Sequence, residues 1–342
     1  MKSLPTQAND IVVVGASTGG VEALRVLVAA LPSRFPAAVL IVMHVGAHES
    51  ILPSILARAS LLPVRAACHG DLVEASRVLV APPDFHLTIR REGTDCRVVL
   101  ARTAKENYTR PAIDPLFRSA AEAFGPRAIG VILTGTLDDG TAGLAAIKAC
   151  GGRAVVQDPE EALAPDMPLS AIENVVVDHV LRLDAIADTL ERLVHASIEG
   201  RAVVPEMHEV PKWVALENKF AMEGVAMDGL NLLAKPSTFT CPECNGTLWE
   251  LNDQRPKRFR CHTGHAYTER SLIAFQANLV ENSVWFAMRA LQEKHMLLAR
   301  MADDALAQKR PEAANDYHLE AVKAQLSAEV LRRLIHELPD KT

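Results

Sequence analysis

The sequence predicts an α/β protein whose first part is a doubly wound, mainly parallel sheet. Short apolar runs alternate with longer segments of helical periodicity from residue 10 to about 190, which is the pattern of strand–helix–strand units. Two of these runs flank a short polar turn and predict an antiparallel hairpin inserted into the sheet. Beyond residue 236 a Cys-rich segment precedes a helical stretch without glycine. We therefore expect a small zinc-ribbon-like module and a C-terminal helical hairpin after the sheet.

Each predicted strand is an apolar run bounded by turn residues. In chain order these runs occupy residues 11–14, 37–43, 77–81, 85–89, 96–100, 128–133, 153–157 and 175–177. The clearest helices cover residues 21–31 and 140–150. Between them, Asp114 as N-cap and Pro115 at the first helical position predict a helix that ends at Gly125.

Changes in composition divide the chain into four regions. Residues 1–198 form the α/β domain, and residues 199–235, which prolines interrupt, form a linker with one short amphipathic helix. Residues 236–268 form the Cys-rich module. Residues 269–342 form two long helices with a break near Pro311.

Composition and charge exclude several classes of protein. The 342 residues suffice for about two domains, and an apolar content of 49% supplies a sizeable core. A net charge of -6 with a pI near 6.1 offers no electrostatic basis for binding nucleic acid. The sequence has neither an apolar run long enough to span a membrane nor a signal peptide. We therefore expect a cytoplasmic protein without membrane insertion.

The turn at residues 15–20 is the most informative segment, because it carries Ser17 between the first strand and the first helix. Such a turn exposes the hydroxyl beside a helix N-terminus, where free N–H groups stabilise negative charge. The alternative is a phosphate-binding turn of a dinucleotide protein. Against it, the Gly-x-Gly-x-x-Gly spacing is absent, and the second strand ends in His44 instead of an acidic residue.

Three strand ends predict one catalytic group. Because parallel strands end at the same crevice, Ser17 and His44 should be neighbours, as a nucleophile and its general base must be. The strand at 128–133 leads to Asp138 and Asp139, either of which could orient the imidazole. Considered alone, each of these aspartates could also simply cap the following helix.

These segments resemble the catalytic domain of the chemotaxis protein-glutamate methylesterases of the CheB type. The segments that carry the resemblance are residues 12–24, His44, residues 81–87, residues 111–119, residues 130–135 and residues 139–140. The resemblance implies a cytoplasmic enzyme that removes methyl groups from methylated glutamates of chemoreceptors, with release of methanol. For some members of the family it also implies deamidation of receptor glutamines.

The resemblance also implies a role for each matching residue. Ser17 corresponds to the nucleophile, His44 to the base and Asp139 to the orienting carboxylate. Thr18 and Thr136 lie where the family supplies backbone N–H groups to an oxyanion hole. Catalysis of this kind needs no cofactor.

The chain departs from the family pattern at two points. Thr136 and Leu137 replace a Met and a Gly, and Leu137 would be strained if that position needs a positive φ. The chain also starts shortly before the first catalytic strand, so we expect it to lack the receiver domain. These departures motivate the alternative of a catalytically idle signalling or scaffold protein that binds a receptor or partner through its C-terminal module.

The Cys-rich module predicts a metal site. Cys241, Cys244, Cys261 and His265 have the ligand types and spacing of a closed tetrahedral zinc site, with His262 as a competitor for the fourth position. A redox Cys-x-x-Cys is the alternative. We expect one structural zinc whose removal loosens the module and leaves the esterase activity of the catalytic domain intact.

The C-terminal helices carry apolar residues at near-helical spacing. These residues include Leu272, Phe275, Leu279, Trp285 and Phe286. A plain intramolecular hairpin explains them, and the alternative is self-association or a partner surface.

Overall fold

A computed structural model describes residues 8–44, 46, 49–199, 208–224, 227–252 and 255–337. The chain divides into two compact units, Met1–Leu272 and Ile273–Thr342. Part of the predicted linker, residues 200–207, lies outside the described residues. Within the described ranges, no helix combines the length and the apolar character that crossing a membrane requires.

A seven-stranded parallel sheet forms the centre of the first unit, in the spatial order β3-β4-β2-β1-β7-β8-β9. A separate antiparallel hairpin is formed by β5 and β6. The strands are β1 (Ile11–Ala16), β2 (Ala38–Met43), β3 (Val64–Ala66), β4 (Val78–Val80), β5 (His86–Glu92), β6 (Asp95–Ala101), β7 (Ala128–Ile132), β8 (Arg153–Gln157) and β9 (His179–Leu181). Since β2 and β7 flank β1 on opposite sides, the strand order changes direction there, and a crevice opens beyond the carboxyl ends of these three strands.

Helices cover both faces of this sheet. They are α1 (Gly20–Ala30), α2 (Leu52–Ala59), α3 (Ile113–Phe124), α4 (Thr141–Ala149), α5 (Asp166–Asn174) and α6 (Leu183–Glu199). Alternate residues of β1 enter two separate cores: Ile11 and Val13 pack with residues of α3 and α4, whereas Val12 and Val14 pack with residues of α1 and α6. A strand buried on both faces must be apolar throughout, which explains its uninterrupted apolar run.

The predicted fold class is confirmed, and two local predictions are wrong. Residues 175–177 are not a strand: Val176 is 82% exposed, and the edge strand begins only at His179. Asp114 is not an N-cap, because α3 begins one residue earlier and Ala112 occupies the cap position. The Asp114 side chain is buried instead.

Two further helices lie within the segment predicted as a linker, α7 (Lys212–Glu223) and α8 (Met227–Leu233). Val214 of α7 is buried in the same core as α3. Asn218 of α7 donates a hydrogen bond to the Arg118 carbonyl of α3 at 3.0 Å. This part of the segment is therefore packed against the α/β domain, since its apolar and amide groups find partners there.

A four-stranded antiparallel sheet follows, with β10 (Ala234–Thr240), β11 (Thr247–Leu251), β12 (Arg258–Cys261) and β13 (Ala266–Thr268) in sequential order. The sheet begins at Ala234, before the predicted boundary at residue 236, so from here on the Cys-rich module comprises residues 234–268. Buried ion pairs join it to the α/β domain and to α7. The side chains involved are Glu106, Arg118, Glu217, Arg258 and Arg260. Removing one partner of such a buried pair typically costs about 3–5 kcal/mol, because the other charge is left buried and unpaired.

The second unit consists of most of α9 (Glu269–Ala307) and all of α10 (Pro311–Glu337). The interruption lies at the predicted position near residue 310. In this unit His295 Nδ1 lies 3.0 Å from the Ala321 carbonyl oxygen of α10. The buried positions of α10 are all alanines, namely Ala314, Ala321, Ala324 and Ala328.

Candidate active site

Ser17 lies on a turn that only small residues allow. It follows β1, and its N–H donates to the Thr134 carbonyl at 3.0 Å. Gly19, the N-cap of α1, has a φ of 78°, a left-handed conformation that favours glycine. A Cβ on Gly135 would lie 2.9 Å from the Ser17 Cβ, so glycine at this position allows the β7 loop to approach the serine closely.

The three strand ends bring Ser17, His44 and Asp139 into hydrogen-bond contact. His44 Nδ1 lies 3.1 Å from Ser17 Oγ, and His44 Nε2 lies 2.7 Å from Asp139 Oδ2. Because an ionised carboxylate only accepts hydrogen bonds, Nε2 carries the proton and Nδ1 presents its lone pair to the serine hydroxyl. The imidazole is therefore oriented to remove the Ser17 proton.

Asp139 is buried in a set of hydrogen-bond donors. The N–H of Ile113 donates to Oδ2 at 2.7 Å, and the N–H of Asp114 donates to Oδ1 at 3.2 Å. The carboxylate thereby occupies the N-terminus of α3, where the helix dipole favours negative charge. Burial by itself raises the pKa of Asp139, but the hydrogen bonds from His44, the Ile113 N–H and Asn107 outweigh it, and the pKa lies below its ordinary value.

Asp138 has different contacts. Its Oδ1 accepts a hydrogen bond from the Thr268 hydroxyl at 2.7 Å. Burial raises the pKa of Asp138 to about 6, although the bond from Thr268 opposes the shift. Of the two adjacent aspartates, Asp139 is the one that contacts the His44 ring.

Thr18 and Thr136 border the serine and are exposed. Within the described part of the chain, no backbone hydrogen bond engages the N–H of either residue. Leu137 has a φ of 63°, so the position where the family has glycine is left-handed here. A left-handed leucine costs about 1–2 kcal/mol.

Two polar groups beside Asp139 were not predicted from the sequence. Asn107 Nδ2 donates to Asp139 Oδ1 at 3.0 Å, and no sequence pattern marked this residue. Asp114, taken for a helix cap, accepts the Gly143 N–H at 2.6 Å. Burial, with the nearby charge of Asp139, raises the pKa of Asp114 to about 8. Asp114 therefore takes up a proton at a higher pH than an ordinary aspartate does.

We predict that Asp114→Asn changes the pH dependence of stability. In the wild type this carboxyl ionises above about pH 4 in the unfolded chain, whereas in the folded protein its pKa is raised to about 8. The unfolded state therefore binds fewer protons between these values, and this group's contribution to stability falls as the pH rises from about 4 to 8. Asp114→Asn has no carboxyl at this position, so its free energy of unfolding does not decrease with pH for this reason.

Denaturant unfolding at pH 5, 6, 7 and 8 measures this effect. The free energy of unfolding of Asp114→Asn relative to wild type should increase by at least about 1 kcal/mol across that range. The exposed Asp188→Asn supplies the baseline for removing a surface carboxylate. A difference that is the same at every pH would contradict the prediction.

Together, these features define a class: a serine hydrolase whose Ser, His and Asp lie at the carboxyl edge of a parallel sheet. Comparison with known sequences identifies the family. The sequence profile of the family described as CheB methylesterase matches residues 12–190, and the chain belongs to this family.

Individual relatives match the same region. A protein of Leptospira interrogans is 39% identical over 193 residues, which cover 56% of this chain and 98% of the relative. Protein-glutamate methylesterase/protein-glutamine glutaminase 6 of Anaeromyxobacter dehalogenans is 43% identical over 197 residues, covering 56% of this chain and 55% of the relative. Protein-glutamate methylesterase/protein-glutamine glutaminase 3 of Geobacter sulfurreducens is 38% identical over 184 residues, which cover 54% of this chain and 50% of the relative.

A solved structure is similar to the same part of the chain. The crystal structure of the Thermotoga maritima CheB methylesterase catalytic domain superposes with a TM-score of 0.53 at 36% identity. The match covers 54% of this chain and 98% of that chain. The Cys-rich module lies outside residues 12–190, the part of the chain that matches the family profile.

Proposed function

We propose that this protein is a protein-glutamate methylesterase that hydrolyses glutamate methyl esters on chemoreceptor-type proteins and releases methanol. The observation that carries the proposal is the chain of contacts from Ser17 Oγ through His44 to Asp139 in a member of the CheB methylesterase family. The names of several relatives specify this activity.

The contacts support a two-step acyl transfer. Ser17 Oγ attacks the ester carbonyl carbon while its proton passes to His44 Nδ1. The tetrahedral intermediate collapses as His44 returns the proton to the departing methoxide, which leaves as methanol. Water, deprotonated by His44, then attacks the acyl-enzyme, and the products are a free glutamate carboxyl and regenerated Ser17.

The surrounding groups stabilise this sequence. Asp139 holds the His44 tautomer and stabilises the imidazolium that forms. The backbone N–H groups of Thr18 and Thr136 serve as donors to the oxyanion. The hydrogen bonds from the Ile113 and Asp114 N–H groups and from the Asn107 amide stabilise the negative charge of Asp139.

The same chemistry on a glutamine side chain would release ammonia and give the same glutamate product. The relatives are named as glutaminases as well as methylesterases, and we propose this as a second reaction of the same site. Six free cysteines suit a reducing compartment, which supports a cytoplasmic location.

The experiment that tests the function is methanol release from methylated chemoreceptor by wild type and by Ser17→Ala. Release of methanol by the wild type but not by Ser17→Ala supports the proposed esterase function. Binding of the receptor by both proteins without methanol release by either would favour the idle scaffold.

We also propose that Cys241, Cys244, Cys261 and His265 hold one structural zinc ion. Their ligand atoms all lie within 4.8 Å of one another. The Sγ atoms of Cys244 and Cys261 are 3.7 Å apart, and His265 Nδ1 lies 3.6 Å from the Sγ atoms of Cys241 and Cys261. Ligands at the corners of a zinc tetrahedron are separated by about 3.5–3.8 Å, so the donor set fits the ion.

The surroundings of the cluster support the same assignment. His265 Nε2 lies 3.7 Å from a Glu243 carboxylate oxygen, an arrangement that orients metal-binding imidazoles. The sulfurs of a disulfide lie about 2.05 Å apart, whereas those of Cys244 and Cys261 are 3.7 Å apart, so these two cysteines are not joined by a disulfide. His262, the competing ligand, is exposed and lies against Trp249 with ring centroids 6.5 Å apart.

For the C-terminal helices we propose self-association. One face of α10 is buried and consists of Ala314, Ala321, Ala324 and Ala328. The opposite face carries exposed apolar residues at spacings of three and four, namely Leu319, Val322, Leu326, Val330 and Leu334. This second stripe suits a helix of another copy, since a soluble hairpin needs only one apolar face per helix.

We predict that the wild type is a dimer and that Leu326→Glu is a monomer at the same concentration, because a charge in the stripe is costly to bury. Light scattering coupled to size-exclusion chromatography gives the mass. The neighbouring exposed residue Ser327 provides the control Ser327→Glu, which should stay dimeric. A monomeric wild type would contradict self-association.

A further inference from the structure

The Cys-rich module is paired with the loop that precedes α3. We call residues 105–109 the Asn107 loop. The N–H of Asn107 donates to the Ala266 carbonyl at 2.8 Å, and the N–H of Ala266 donates to the Lys105 carbonyl at 3.2 Å. Glu106 and Ala266 form a parallel bridge. The Asn107 loop is therefore hydrogen-bonded to β13, at the edge of the module's sheet.

The Asn107 side chain connects β13 with the site carboxylates. Its Nδ2 donates to Asp139 Oδ1 at 3.0 Å and to Asp114 Oδ2 at 3.2 Å. Its Oδ1 accepts the Thr268 N–H at 3.2 Å and the Ser271 hydroxyl at 3.1 Å. One amide thus contacts Asp139 on one side and the end of the module on the other.

A second connection reaches the neighbouring aspartate. The Thr268 hydroxyl donates to Asp138 Oδ1 at 2.7 Å, and both side chains are buried. Asp138 is adjacent to Asp139 in the chain. Thr268 therefore contacts both the Asn107 loop, which donates to Asp139, and Asp138, which precedes Asp139 in the chain.

The backbone of the Asn107 loop needs this support. Asn107 has a φ of 50° and Tyr108 a φ of 63°, a region that residues other than glycine rarely occupy. Such conformations persist where the surrounding contacts over-determine them. Here β13 supplies part of this support through the hydrogen bonds of Ala266 with Lys105 and Asn107, and Arg118 of α3 supplies another part through its ion pair with Glu106. A displacement of β13 should therefore loosen the loop and weaken the contact of the Asn107 amide with Asp139.

Two of the proposed metal ligands flank the turn that leads into β13. Cys261 ends β12 and His265 immediately precedes β13. The N–H of Cys261 donates to the His265 carbonyl at 2.9 Å. A metal ion shared by these two ligands would therefore hold the β12–β13 turn from which Ala266 and Thr268 extend.

We propose that the Cys-rich module is a positioning element of the esterase site: through Thr268 it holds Asn107 and Asp138, and through them the carboxylate that orients His44, so that full activity requires an intact metal site. This inference rests on the proposed function. It replaces the expectation that chelation leaves the activity of the catalytic domain intact. It is a property of this chain, because relatives such as the Leptospira protein are 98% covered by a match to only 56% of this chain.

The test uses the full chain with Thr268→Val, which keeps the side-chain shape and removes the hydroxyl that contacts Asp138 and Ser271. The Thr268 N–H that donates to Asn107 remains, so this variant tests the connection through Asp138. We expect kcat to fall by about 10–100-fold, the effect of slight misplacement of a catalytic group, with KM unchanged within about twofold. Thr268→Ser retains the donor and should restore wild-type kcat. Thr238→Val, at an exposed position of the same module, is the matched control. The rate of Ser17 labelling by a fluorophosphonate, which requires no receptor, should fall in parallel with kcat.

The role of the metal site is tested with Cys244→Ser. Elemental analysis should show about one zinc per wild-type chain and a loss in the variant, with a decrease in kcat and labelling similar to that of Thr268→Val. If both changes act through the same contacts, the double variant should be no slower than the slower single variant. Circular dichroism establishes that each variant is folded. If Cys244→Ser does not fold, the Thr268 series decides alone.

Two results would overturn the inference: wild-type kcat and labelling in Thr268→Val, or wild-type rates in folded, metal-free Cys244→Ser. Failure of the proposed function has a different signature. If the wild-type protein is labelled at Ser17 but releases no methanol, only the proposed substrate is contradicted. The labelling rates of the variants then still test the inference. A wild type that neither labels nor releases methanol overturns both.

Discussion

Replacing Ser17 with alanine is expected to reduce methanol release from methylated chemoreceptor on the order of 10⁶-fold, to the background rate. In the proposed mechanism the Ser17 hydroxyl forms the acyl-enzyme, and it lies 3.1 Å from His44 Nδ1. Alanine has no nucleophilic atom at this position, so the acyl-enzyme cannot form.

The Ser17→Ala protein should fold as the wild type does, because the backbone bond from Ser17 to Thr134 remains. The exposed Ser33→Ala is the matched control and should retain wild-type kcat. Equal thermal unfolding of all three proteins separates loss of chemistry from loss of structure. Full methylesterase activity in Ser17→Ala would exclude the proposed mechanism.

Asp139→Asn is expected to lower kcat on the order of 10⁴-fold, as does the same change in other Ser-His-Asp enzymes. Asparagine has the same size but no negative charge, so it neither holds the Nε2–H tautomer of His44 nor stabilises the imidazolium. Because Oδ1 of Asp139 accepts the Asn107 amide and the Asp114 and Gly140 N–H groups, the amide oxygen of asparagine would occupy this position and leave its NH2 group facing His44.

The control for Asp139→Asn is the adjacent Asp138→Asn. Its amide oxygen can still accept the Thr268 hydroxyl, so we expect a loss of about tenfold or less. The pair is compared by kcat for methanol release at pH 7, with KM measured separately. If Asp138→Asn proves the more damaging change, the residue that orients His44 has been assigned incorrectly.

The sequence by itself determined the fold class and the strands that converge on the site. Apolar runs buried on both faces, as in β1, specify a parallel sheet through local composition. The strand ends at Ser17 and His44 then share one crevice as a consequence of parallel geometry. The same patterns marked the break between the C-terminal helices, because glycine-free helical periodicity and a proline are local signals.

Other predictions from local sequence were wrong where long-range contacts decided the structure. Asp114 has the sequence context of a helix cap, yet packing against Gly143 and Asn107 places it inside the first turn. Residues 175–177 are β-branched, but pairing with β8 begins only at His179. In both cases a tertiary contact outweighed a local preference.

Only the tertiary structure decided how the C-terminal part meets the site. Composition predicted a separate Cys-rich module after a linker, whereas Asn107, Thr268 and Ser271 join that module to Asp139 although they are distant in sequence. No periodicity or spacing encodes such contacts, because each depends on where two separately folded segments meet. The sequence therefore determined which elements form and where the strands end. The tertiary structure determined which distant side chains hold the carboxylate, since buried polar groups are stabilised by whichever partners the packing brings within hydrogen-bond distance.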